Sequence, residues 1–242
     1  MRELTGQEEL TFVPGTGTGP AGRLTALLSA VDAVPPESLR TLPLAAWEAL
    51  LLDLRVQVVG PAVHAELRCP DCGAGVAVDF DAHDLPREPP APRATPVPLA
   101  PLTVGDVLAL EEAGTAGEAA LSSLLAAAAD IDADEAGARL HGAGRDQLLG
   151  ALDTLASGLG LELGTRCTDC DAAITAAFDI PLFVDAELAS RGARLLDEVH
   201  LLARTYHWSE SEILALPYGR RQEYLRRILL ERPPALDVDA VA

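Results

Sequence analysis

The chain contains no lysine. All 18 of its basic residues are arginine, and 37 acidic residues bring the formal net charge to −19. A phosphate-cradling P-loop needs its lysine, so Gly15–Pro20 (GTGTGP) is not one, and no strand signal precedes it as a dinucleotide fingerprint requires. A polyanion also repels nucleic-acid backbones, whose general affinity depends on cations that neutralise phosphate. Long apolar runs are missing too. Hydrophobic residues make up 49% of the chain, yet no stretch of about eighteen escapes charge, which speaks against a membrane span. The N-terminal MRELTGQEELTF holds polar and acidic residues where a signal peptide needs an apolar core, so a cytoplasmic protein is expected. No serine stands in a nucleophile elbow. None of the five histidines (His64, His83, His141, His200, His207) lies at ligand spacing from a cysteine. The expectation is a protein that is not an enzyme.

Cysteine is scarce, and its spacing is the most informative feature. Four cysteines in a cytosolic chain of 242 residues make a poor disulfide framework. Cys69 and Cys72 stand in RCPDCGAG, and Cys167 and Cys170 in RCTDCDAA. A CxxC turn aims both sulfurs inward, and two such turns supply the four thiolates of a closed tetrahedral zinc site. Strand-like sequence flanks both pairs: AVHAELR and GVAVDFD around the first, LELGTR and AAITAAFDI around the second. A redox CxxC sits instead where a strand runs into a helix N-terminus. Structural zinc on Cys69, Cys72, Cys167 and Cys170 is therefore expected, with metal-free reduced thiols and redox chemistry as the alternatives. Phe80-Asp81 and Phe178-Asp179 follow the two pairs, which gives a weak internal repeat.

The rest of the chain reads as helices between breaks. Residues 1–22 are rich in Gly, Thr and Glu and predict a flexible N-terminal arm. Residues 23–84 hold a short helix over RLTALLSAV, a longer one over PLAAWEALLLDLRVQVVG, and the first cysteine hairpin. Leu44, Trp47, Leu51 and Leu54 recur at helical spacing and predict a buried stripe. Residues 85–102 carry seven prolines and predict an extended linker. Residues 103–160, rich in Ala and Leu, predict a helical insert of two to four helices. The second cysteine hairpin follows at 161–184.

Residues 185–232 predict a C-terminal helical element and residues 233–242 a frayed tail. Leu188, Leu195, Val199, Leu202 and Tyr206 share one helical face, and Tyr224, Leu225, Ile228 and Leu229 point inward from the last helix. Ser209 and Glu212 form a capping box. The arginines near the end suggest DNA binding, but residues 185–232 balance eight arginines with eight acids. Arg220 and Arg221 stand at a helix start, where cations do nothing for the helix.

EVHLLARTYHWSESEILALPYGRRQEYLRRI resembles a C-terminal signature of small baseplate-associated proteins of contractile-tailed phages and phage-tail-like contractile injection systems. The matching positions are Tyr206, His207, Trp208, Ser209, Glu212, Ile213, Leu214, Arg220, Arg221 and Tyr224. WEALLLDLRVQVVG with LRCPDCG, and RCTDC with AAFDIPLF, resemble the paired cysteine knuckles of the same family, which is similar to baseplate hub assembly proteins. The second knuckle departs from the pattern, because Asp171 stands where glycine is common. The resemblance implies an α+β protein: two cysteine-knuckle β-hairpins joined in a zinc-ribbon-like unit, with a helical insert and C-terminal helices. It implies baseplate or hub proteins as partners, met by Trp208, Arg220, Arg221 and Tyr224. The rival reading is a zinc-stabilised DNA-binding transcription regulator, and a zinc-dependent enzyme is a third.

Overall fold

The computed structural model describes residues 3–13, 19–88 and 98–231. Half of the expected proline-rich linker, residues 89–97, and all of the expected tail lie outside the described residues. Contacts divide the chain into two units, one within Gly17–Ala186 and one formed by Arg2–Thr16 with Glu187–Ala242. The fold is α+β. In chain order the helices are α1 (Gly6–Glu9), α2 (Pro20–Asp32), α3 (Pro36–Arg40), α4 (Leu44–Val58), α5 (Val104–Ala113), α6 (Gly117–Ala129), α7 (Ala133–Leu140), α8 (Arg145–Ala156), α9 (Ile180–Tyr206), α10 (Glu210–Leu214) and α11 (Tyr218–Glu231). The strands are β1 (Ala62–Arg68), β2 (Gly75–Asp81), β3 (Glu162–Arg166) and β4 (Ala173–Ala177). They pair as two antiparallel two-stranded sheets, β1 with β2 and β3 with β4. The alanine-rich middle is four helices, α5 to α8, and no described helix is long and apolar enough to cross a membrane.

One pattern occurs three times. A helix ends on a residue in the left-handed conformation, a shorter helix follows, and then another longer one. The left-handed residues are Ala33, Asp130 and His207, with φ of 53°, 53° and 58°. Counted from each, positions −5, +6 and +18 are Leu28, Leu39 and Leu51, then Leu125, Ala136 and Leu148, then Leu202, Ile213 and Leu225. All nine are at most 8% exposed. A left-handed residue ends a helix and turns the chain sharply, which lets apolar residues of successive helices converge. In the third copy the triad is a contiguous cluster, with Val199, Tyr206, Trp208, Tyr224 and Ile228 packed against it.

The first two copies share more. A shift of 98 positions carries Leu4-Thr5 onto Leu102-Thr103, Cys69 onto Cys167 and Phe80-Asp81 onto Phe178-Asp179. The Thr5 N–H donates to Glu8 at 2.8 Å, and the Thr103 N–H to Asp106 at 2.7 Å, each opening a helix. Thr103 bridges to Pro43 and Thr5 to Pro217, the prolines that stand just before α4 and α11. A two-stranded sheet follows α4 and another follows α8.

Within the second unit, residues 3–13 correct the expectation of a flexible arm. Leu4 and Phe12 are 1% and 3% exposed. The Tyr218 N–H donates to the Leu4 carbonyl at 2.8 Å. Gly192 permits the approach, since a Cβ there would meet the Phe12 carbonyl carbon at 2.9 Å. These contacts tie the segment to α9 and α11. The last helix brings a second correction. Leu225 is buried and Tyr224 and Ile228 are half-buried, but Leu229 is 62% exposed.

Candidate metal centre

Each cysteine pair sits in the turn that joins two strands. In the first, the Cys69 N–H donates to the Ala74 carbonyl at 2.9 Å and the Gly73 N–H to the Cys69 carbonyl at 3.0 Å. The second repeats this: Cys167 N–H to Ala172 at 2.9 Å, and Asp171 N–H to Cys167 at 3.0 Å. The turn demands a left-handed residue after its second cysteine. Gly73 supplies it at φ 75°, and Asp171 supplies it at φ 59°. Aspartate tolerates this conformation better than most residues, and Arg166 braces it by donating to the Asp171 carbonyl at 3.0 Å. The missing glycine therefore leaves the turn intact.

The two turns bring all four sulfurs together, with every pair within 4.8 Å. Cys69 and Cys170 are 3.6 Å apart across the turns, and so are Cys72 and Cys167. A disulfide needs about 2.05 Å, so these are not disulfides. Zinc–sulfur bonds of about 2.3 Å at tetrahedral angles place sulfurs about 3.8 Å apart. The donor set fits a tetrahedral thiophilic ion. Cys69 and Cys167 are buried while Cys72 and Cys170 are exposed. The buried pair forms a small core with Val76 and Ile174. Phe80 and Phe178 meet edge to face at 5.7 Å, and Phe178 packs on Phe183 at 5.0 Å.

The sulfurs are unequal. The Cys72 N–H points at Cys69 and, against the cost of burial and with help from the Asp71 N–H, lowers that thiol to about 7. Cys170 is pushed up to about 12. The Ala172 N–H favours its thiolate, but donation to the sulfurs of Cys69, Cys72 and Cys167 outweighs this. One negative charge forms readily and later ones are opposed by the first. A divalent cation removes that opposition and releases the protons.

The residues expected to meet a partner divide. Trp208 and Tyr224 are half-buried and belong to an aromatic trio. Trp208 stacks on Tyr206 at 4.9 Å and meets Tyr224 edge-on at 4.9 Å. Ser209 and Glu212 form the expected box beside it, the Ser209 N–H donating to Glu212 at 2.8 Å. Arg220 is exposed. Arg221 is 1% exposed and inaccessible to a partner, which corrects its expected role. Its guanidinium pairs with Glu9, also buried, and its Nε donates to Glu198 at 2.7 Å. Arg191 also reaches Glu9, at 2.7 Å, and lies 3.7 Å from the Tyr218 ring centre. Two acids and two arginines thus balance inside the second unit.

The sequence also hides a buried acid in the first unit. Glu48 on α4 is 7% exposed and accepts the Leu159 N–H at 2.7 Å. A side chain on Gly158 would overlap its carboxylate. Burial, outweighing the Leu159 bond and aided by the charge of Asp179, raises Glu48 from 4.5 to about 7. Compared with protein-family models, curated proteins and solved structures, the chain shows no match.

Proposed function

We propose that the chain is a non-enzymatic structural or assembly protein, held together by zinc on Cys69, Cys72, Cys167 and Cys170. The observation that carries this reading is the convergence of four sulfurs within 4.8 Å from turns 98 positions apart in sequence. Four protein thiolates fill a tetrahedron and leave no position for a reacting water, so the metal serves the fold. Its physical effect is closure of a long loop. By analogy with a covalent cross-link, closing a loop of about 100 residues stabilises on the order of 4–5 kcal/mol. The two strand pairs then form a zinc-ribbon-like unit of two cysteine-knuckle hairpins. Elemental analysis of the purified chain tests this: one zinc per chain supports it, and four freely titrating thiols without metal overturn it.

The process it serves is assembly of a contractile-tail baseplate. Support comes from the resemblance of the string that runs from Glu198 to Ile228 and from the half-exposed trio Tyr206, Trp208 and Tyr224. In this reading Trp208, Tyr224 and Arg220 face baseplate or hub proteins, and Arg221 holds the docking element in shape. Deleting the gene in the native host should abolish contractile particles, and the tagged chain should co-purify with sheath or tube components or their assembly intermediates. Intact particles in the deletion strain would refute it. The DNA-binding alternative is weakened by Glu223, which takes up both Arg226 and Arg227 at 2.9 and 3.1 Å.

A further inference from the structure

The four sulfurs of the metal centre are not equally accessible. Cys72 and Cys170 are exposed, whereas Cys69 and Cys167 are each 3% exposed. The buried pair lies in the small core of Val76 and Ile174, with Leu67, Ala74 and Ala172 packed against it. Each exposed sulfur meets a buried one from the other turn. Cys72 and Cys167 share a hydrogen bond at 3.6 Å, and so do Cys170 and Cys69. These partners stand 95 and 101 positions apart in sequence, whereas the two cysteines of one turn stand three apart.

This arrangement pairs a sulfur that solvent reaches with a second sulfur that can resolve it. An oxidisable cysteine needs thiolate character, access and a resolving cysteine close by. Sulfurs held by a divalent cation are already thiolates. Cys72 and Cys170 have the access, and Cys167 and Cys69 stand beside them, screened from oxidant but within reach of an oxidised neighbour. Four thiolates around one divalent cation remain net negative. The exposed charges on the same turns do not reverse this, since Arg68 and Arg166 are set against Asp71, Asp169 and Asp171. A small neutral oxidant therefore approaches more readily than an anionic disulfide such as oxidised glutathione.

We propose that Cys72 and Cys170 are sites of oxidation by hydrogen peroxide, and that oxidation exchanges the metal for two disulfides between the turns, Cys72–Cys167 and Cys69–Cys170. The Cys72 thiolate attacks one peroxide oxygen. The O–O bond breaks, an S–O bond forms, and hydroxide leaves. The Cys167 thiolate then attacks the Cys72 sulfur, forming the S–S bond as the S–O bond breaks, and a second hydroxide leaves. Two protons from solvent convert the two hydroxides to water. Cys170 and Cys69 repeat the step with a second peroxide. The cation keeps its oxidation state and departs once its thiolates are gone. Because each new bond spans the turns, the long loop stays closed without metal, whereas disulfides within each turn would part them. This inference deepens the zinc reading and rests on it for the thiolates; the baseplate reading plays no part in it.

The zinc-loaded, full-length chain tests it. Zinc content before treatment reports on the metal reading alone. Hydrogen peroxide should then release the zinc to a chromogenic chelator, with about two peroxides consumed per chain. Dimedone added to a separate aliquot early in the reaction should label Cys72 or Cys170 and neither buried cysteine. Peptide mapping without reductant should find Cys72–Cys167 and Cys69–Cys170, and dithiothreitol with added zinc should restore the metal. The oxidised chain should melt at least about 5 °C above the reduced chain stripped of zinc, because its disulfides close loops of about 100 residues. Disulfides within each turn, disulfides between two chains, sulfinic acid as the main product, dimedone on Cys69 or Cys167, or four sulfurs left unoxidised would overturn it. A chain that holds no zinc yet forms the two bonds between the turns would refute the metal reading and leave the oxidation sites standing.

Discussion

Arg221 and Glu9 form an ion pair in which both side chains are at most 2% exposed. Its neighbour Arg220, one position earlier on α11, lies in solvent. The adjacent arginines should therefore behave as opposites. Arg221→Ala strands the buried carboxylate of Glu9 beside a single remaining arginine, and breaking a buried pair from one side costs about 3–5 kcal/mol. Arg220→Ala should cost less than about 0.5 kcal/mol. Urea unfolding of the two variants separates them. Equal effects would mean that the pair does not hold the second unit.

The metal should join the two cysteine turns into one cooperative element. Cys167→Ser removes one sulfur of four, and Cys69 and Cys72 then lose their shared ion as well. Zinc content should fall well below one per chain. Protection of backbone amides should drop in β1–β2 as well as in β3–β4, because Cys69 and Cys167 stand in the same small core. Hydrogen exchange confined to residues 160–180 would show two independent turns instead.

The left-handed turn residues give a finer test. Gly73→Val forces a β-branched residue to φ 75°, where nothing in space opposes the side chain but the backbone does. The expected cost is about 1–2 kcal/mol. Asp171→Gly relieves the same conformation and loses an exposed ion pair to Arg166 worth less than about 1 kcal/mol. Its stability should stay within about 1 kcal/mol of the parent, with zinc content intact. Loss of metal in Asp171→Gly would show that the side-chain pair of Asp171 with Arg166, not the turn, sets the site.

Local signals were legible and distant ones were not. The alternation in AVHAELR and GVAVDFD marks β1 and β2 at their observed bounds. The stripe of Leu44, Trp47, Leu51 and Leu54 is buried throughout, at 6% or less. Ser209 and Glu212 pair three residues apart, as a capping box must. Arg221 carries no such signal. Its partners Glu9 and Glu198 are far away in sequence, so it reads as a surface cation. The threefold pattern is hidden for another reason. A helix end in the left-handed conformation is usually announced by glycine, and here alanine, aspartate and histidine fill that place. Only the spacing of buried positions around them discloses the copies.

Glu48 should make stability depend on pH in a direction unusual for a carboxylate. Its folded value lies near 7 against an ordinary 4.5. Between those limits the native state holds a proton that the unfolded chain has released. Stability therefore falls as pH rises across that window, and the loss is complete above the folded value. Glu48→Gln keeps an oxygen for the Leu159 N–H and removes both the burial of charge and the repulsion from Asp179. Relative to the parent, the variant should be more stable by about 1–3 kcal/mol at about pH 8, with a smaller difference at about pH 5.5. Urea midpoints of the zinc-loaded proteins at both pH values measure this. The subtraction cancels groups common to both chains, the cysteines included. A difference that is constant with pH would place the effect in packing rather than charge, and a less stable variant at high pH would mean that the carboxylate is held by a cation.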